Sequence, residues 1–98
     1  MLANTGIKNQ VQEEICHFAE KYQLDRVVLF GSRARGDYHR ASDIDLAVWG
    51  GSIVRFAVDV DEKTSTLLKY DVVDMGRSIS AKLWDSIQRE GRVLYEKV

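Results

Sequence analysis

A chain of 98 residues, 45% hydrophobic and 30% charged, has the balance of a soluble globular protein and room for one domain, residues 1–98, without a second lobe. Its 14 Lys and Arg against 15 Asp and Glu leave a net charge of -1, which argues against holding nucleic acid by a broad basic surface but not against a nucleotide held in a local cradle. No apolar run approaches the roughly 18 residues of a membrane span, Met1 to Asn4 lack the features of a signal peptide, and the single Cys16 cannot form an internal disulfide, so the cytoplasm is the expected compartment.

In chain order, Ile7, Val11, Ile15, Phe18, Ala19 and Tyr22 form a helical stripe that predicts a helix from about Thr5 to Tyr22, capped by Asn4 or Thr5. Cys16 adjoins the stripe as a partly buried small residue, and His17 has no partners for a metal site. Arg26 to Phe30 reads as a strand apolar on both faces, hence an interior strand covered by helices. Gly31-Ser32 breaks it, Ser32 can cap a short turn of helix through Arg35, and Gly36 ends that turn. Asp37 to Ser42 is a polar loop in which His39 is solvated and Tyr38 has no assigned role. A second strand runs from Asp43 to Trp49 and stops at Gly50-Gly51.

Ser52 to Ser65 fits a strand or a helix by periodicity, and its length favours helix. Leu67 to Met75 is a third strand, with Asp71 and Val73 on one face and Val72 and Asp74 on the other. Ile79 to Arg89 is a last helix with Ser78 as cap, an Asp85–Arg89 pair on its exposed side and Gly91 as its stop. Arg92 to Val98 is an edge strand or a tail.

The chemistry concentrates between Gly31 and Val48. Residues two apart on a strand point the same way, about 6.5–7 Å from each other, so Asp43 and Asp45 converge on one side while Ile44 and Leu46 pack on the other. Two exposed carboxylates at that spacing repel unless a cation lies between them, and hard oxygen donors suit Mg²⁺ or Mn²⁺. A third carboxylate on a neighbouring strand would complete a two-metal clamp; Asp71 and Asp74 are both candidates. Gly31 lets the backbone approach a phosphate, the Ser32 hydroxyl can donate to it, and Arg33 and Arg35 are within reach to neutralise polyphosphate charge. Gly-Ser, ten residues, then Asp-x-Asp would arise by chance in a chain this long on the order of once in a thousand sequences, so the combination outweighs its parts.

At these residues, Gly31-Ser32-Arg33-Ala34-Arg35-Gly36 followed by Ser42-Asp43-Ile44-Asp45-Leu46-Ala47, the sequence resembles the nucleotidyltransferases related to DNA polymerase beta. It is most similar to their minimal, MNT-type members. The resemblance implies an α+β two-layer fold, a small mixed β-sheet with helices packed on one face. It also implies Mg²⁺-dependent transfer of AMP from ATP, with Asp43, Asp45 and a third acid as metal ligands and catalytic groups, and it favours Asp71 over Asp74. Such proteins are paired with a helical partner encoded beside them, a HEPN-type or substrate-binding protein, and several are antitoxins that transfer AMP to a tyrosine of a HEPN-type toxin. A non-catalytic antitoxin that keeps a nucleotide pocket and acts by covering its partner is the alternative. On either reading the partner is a protein, and neither nucleic acid nor a membrane is expected.

Overall fold

Two antiparallel pairings and one parallel pairing set the architecture. The computed structural model describes every residue from Met1 to Val98. The chain runs α1 (Asn9–Lys21), β1 (Arg26–Phe30), α2 (Ser32–Arg35), β2 (Ile44–Trp49), α3 (Ile53–Lys63), β3 (Tyr70–Asp74), α4 (Ala81–Glu90) and β4 (Arg92–Glu96). The strands form one sheet in the order β3-β2-β1-β4. β1 is antiparallel to β2 and to β4, whereas β2 and β3 are parallel, with α3 as the crossover between them. The α+β class and the small mixed sheet are as expected.

Strand alternation then divides the core. Val27, Leu29, Ile44, Leu46 and Val48 point to one face, where Val11, Ile15 and Phe18 of α1 and Phe56 and Val60 of α3 cover them. Val28, Phe30 and Ala47 point to the other face, where they meet Met75 and Ile87 of α4. Burying a large aliphatic or aromatic side chain stabilises by roughly 1.5–3 kcal/mol relative to exposure, so two apolar faces on β1 require two covers. The helices are therefore shared between the faces rather than confined to one, as the apolar run from Val27 to Phe30 already implied.

Several boundaries shift for local reasons. Helix α1 begins at Asn9, because Thr5 is buried in a turn of its own: its hydroxyl accepts from the Ile7 amide at 3.1 Å. Gly6 follows at φ 68°, and the N-cap position falls to Lys8, which offers no side-chain bond. Asn4 and Thr5 thus do not cap the helix. Cys16 is half-buried, its thiol donating to the Leu94 carbonyl at 3.4 Å. In α3 the ambiguity is settled by exposure, since Phe56 and Val60 are buried while Val54 and Val58 face out, a helical and not an alternating pattern. Ser80 rather than Ser78 caps α4, accepting from Leu83 N at 3.1 Å. The Asp85–Arg89 pair forms at 2.8 Å. The final segment is a strand, β4, paired with β1. No helix is long and apolar enough to cross a membrane.

Candidate active site

The site lies where β1 ends and β2 and β3 begin, at one end of the sheet on the face shared with α4. β1 runs out at Phe30, and Gly31 turns the chain at φ 76° into α2. The Ala34 and Arg35 amides both bond the Gly31 carbonyl at 3.1 Å. Gly36 closes the turn in the left-handed conformation at φ 93°, as its residue type predicts. Gly31, not Ser32, occupies the cap position. Ser32 opens the helix, and no side chain caps that first turn, which suits the approach of an anion.

Asp45 is the centre of the arrangement. It stands on β2 opposite Phe30 in one direction and in register with Asp71 of β3 in the other. Neighbouring strands are about 4.8 Å apart, so the two carboxylates share one patch of the sheet surface. Asp43 precedes β2 at the same end and is exposed, as is Asp71. Burial first, then the charges of Asp71 and Asp43, push the Asp45 carboxyl up to about 6, against a smaller pull from Arg35. No three His, Cys, Asp or Glu side chains close into a ready-made metal cage. Asp45 nevertheless stands half-buried beside the charges of Asp71 and Asp43, and such a set of hard oxygen donors fits a divalent cation such as Mg²⁺.

Asp74, the other candidate for the third acid, is elsewhere. It pairs with Val48, three residues further along the sheet, accepts from the Gly76 amide at 2.8 Å and faces Arg77 at 3.4 Å. It closes the turn after β3 and takes no part in the cluster.

Gly31 has a second role that spacing did not reveal. A β-carbon at this position would collide with the carboxylate of Asp45, so the glycine makes room for the acid as well as for a ligand. Gly31→Ala is expected to cost about 1–3 kcal/mol for the strained backbone and to displace Asp45. A melting curve and a transfer assay check this, and an alanine variant as active as wild type would contradict it.

The two arginines expected at the phosphates part ways. Arg33 is a correction. It is 1% exposed, and its guanidinium donates to the carbonyls of Ser42 and Thr5 at 2.9 Å, Arg40 at 3.1 Å and His39 at 3.4 Å. It also stacks over the Tyr38 ring at 4.8 Å, which gives Tyr38 the role that sequence left blank. With four of its five N–H donors spent on carbonyls of the chain and its side chain buried, Arg33 is not placed to meet a phosphate. It organises the loop that delivers Asp43. Arg35 is the arginine whose charge acts on Asp45, lowering its proton affinity. It is exposed and held by Asp37 at 3.1 Å and by Glu90 at the end of α4. Glu90 was not legible beforehand, because nothing local links it to a residue so distant in sequence.

The sequence pattern of the family described as "Polymerase beta, Nucleotidyltransferase" matches residues 13–98, which includes every element that builds this site. The chain is a nucleotidyltransferase of that family. Among its relatives, this nucleotidyltransferase is 36% identical over 96 residues to MJ0604 of Methanocaldococcus jannaschii, a candidate protein adenylyltransferase; the match covers 87% of this chain and 94% of the relative. A second protein of the same organism and description, MJ0141, is 40% identical over 60 residues, covering 54% of this chain and 57% of its own. Among solved structures, the nucleotidyltransferase superimposes on a chain of a toxin–antitoxin crystal structure with AMP-PNP. The TM-score is 0.71 and the identity 26%, over 88% of this chain and 73% of that one.

Proposed function

We propose that this nucleotidyltransferase moves AMP from ATP to a hydroxyl, a tyrosine, of a partner protein, with Mg²⁺ as cofactor, and that the partner is a HEPN-type toxin it restrains. The observation that carries the reading is Asp45: a half-buried carboxylate in register with Asp71, beside the Gly31-Ser32 turn. Relatives described as candidate protein adenylyltransferases, and a structural neighbour from a toxin–antitoxin complex with an ATP analogue, support the donor and the class of acceptor.

On this reading Asp43, Asp45 and Asp71 hold the metal. Mg²⁺, when bound, neutralises triphosphate oxygens and lowers the cost of ionising the acceptor hydroxyl. The chain's own groups do the rest. Gly31 and Ser32 admit the phosphates at the uncapped start of α2, and Arg35 leans toward them from its hold on Asp37 and Glu90. Asp71, the more exposed of the in-register pair, takes the acceptor's proton as its oxygen attacks the α-phosphate. The P–O bond to the β-phosphate then breaks, and pyrophosphate leaves. No residue of the chain serves as acceptor in this scheme, so a partner must present one.

The direct test is incubation with ATP labelled at the α-phosphate, Mg²⁺ and the product of the adjacent gene. Label is expected on a tyrosine of that protein, with none when Mg²⁺ is chelated. An unlabelled partner, or label that persists in EDTA, would refute the scheme.

A further inference from the structure

We infer that a groove near the acids' end of the sheet, on the α1 side, is the docking site for an apolar, acid-flanked segment of the protein that carries the acceptor hydroxyl; this rests on the transferase reading above. The groove encloses about 770 Å³ between the start of α1, the loop before β2 and the segment leading into β3, within the size range of ligand sites. Ile7, Val11 and Leu68 contribute apolar surface to it. Leu67, on its lip, is 104% exposed and packs on nothing in its own chain.

Three features distinguish it from an ordinary surface depression. The first is charge. Lys8 and Arg40 are the only charged residues of its lining. Neither belongs to an ion pair, although acids outnumber bases in the chain. Two free cations around apolar surface select a segment with carboxylates at its edge. The second is continuity. Ala41 in one wall is two residues from Asp43, and Leu68 in the other is three from Asp71. The Ile44 amide, donating to the Lys69 carbonyl at 2.8 Å, ties the two walls where they enter the sheet. A segment seated in the groove would lead its neighbouring residues over the end of the sheet to the acids. The third is rigidity. Arg33 bonds the Thr5 carbonyl below one wall and the Arg40 carbonyl in another, so the groove is formed before anything enters it and little ordering cost remains on binding.

The test uses the full chain with the adjacent gene product as acceptor, and two variants: Leu67→Asp, and Lys8→Glu with Arg40→Glu. These side chains lie outside the core, so both variants are expected to melt with wild type and to bind Mg²⁺–ATP unchanged. Leu67→Asp is expected to raise KM for the acceptor protein at least tenfold with little change in kcat. The double charge reversal should do the same and invert the effect of salt, which weakens an attraction in wild type and a repulsion in the variant. Wild-type KM in both variants, while wild type labels its acceptor, would overturn the groove and leave the transferase reading standing. A concentration-dependent dimer of wild type that Leu67→Asp dissolves would assign the groove to a second copy instead. RNA that competes for the groove would assign it to nucleic acid. If wild type labels no acceptor, the transferase reading fails and the docking inference falls with it.

Discussion

Asp45→Asn is expected to abolish nucleotidyl transfer, by a thousandfold or more on the order of other losses of a charged group at a reacting centre, while making the protein more stable. The two effects share one cause. Asp45 holds a charge in a half-buried place, beside two other acids, where it raises the energy of the folded chain. An aspartate in the unfolded chain loses its proton around the ordinary value of 3.8, whereas folded Asp45 keeps its proton to about 6. Between those values the unfolded state binds fewer protons, so stability falls as pH rises through the window and the loss is complete above it. With solvent screening allowed for, the asparagine variant should gain about 1–2 kcal/mol at pH 7.5 and almost nothing at pH 3.5. Urea titrations at the two pH values measure this directly. Equal gains at both would remove the electrostatic account, and an active asparagine variant would remove Asp45 from the reaction. In wild type, metal affinity should rise through pH 6 as the same proton leaves; a flat profile would contradict that assignment.

Arg33→Met should produce the largest loss of stability. The methionine keeps much of the aliphatic volume but leaves the carbonyls of Thr5, Arg40 and Ser42 without the donor that serves them. Hydrogen bonds to a charged donor contribute roughly 1.5–3 kcal/mol each, with non-additive sums, and breaking a buried charged network costs about 3–5 kcal/mol. Against a total stability of about 5–15 kcal/mol for a domain, that is a large share. The loss should localise: amides from Asp37 to Ser42 should exchange much faster, while those of β1 and β2 stay slow until global unfolding. Arg33→Lys should recover part of the stability, since a lysine meets fewer of these carbonyls at once. An unchanged urea midpoint in Arg33→Met would show that the loop is held by something else.

Residues whose constraints are local were legible before the structure. The periodicity of α1, the two-faced apolar run of β1, the glycine ending α2 and the paired acids at the start of β2 all follow from near neighbours in the chain. Strand alternation put Asp71 and Asp74 on opposite faces but could not choose between them. That choice depends on the parallel register of β3 against β2, which sets Asp71 beside Asp45. What stayed hidden was long-range. Arg33 read as a phosphate ligand because a guanidinium near a Gly-Ser turn has an obvious use there. Its true partners are carbonyls, which every residue carries and no side-chain pattern reveals. The one available hint was the loop itself. Residues 37–42 have no apolar anchor, and such a loop needs a buried donor to hold it. The position of α4 was hidden for a related reason: Leu83 and Ile87, four residues apart, give it an apolar side to pack, but not the face of the sheet it packs on.

The contact between Gly31 and Asp45 changes what a glycine at such a turn can testify to. A β-carbon at position 31 would force the Asp45 carboxylate to move, so a chain that keeps the aspartate in this place has a reason to keep the glycine that owes nothing to a ligand. A relative that had ceased to bind nucleotide could therefore retain the glycine for as long as it retained the acid. The two residues are one piece of information rather than two, and the independent witness to activity is the carboxylate on the edge strand. Asp71 is exposed and presses on the fold only through its charge on Asp45, so no packing requires it. On the proposed reading, its loss is the change that would separate a working enzyme from a preserved scaffold.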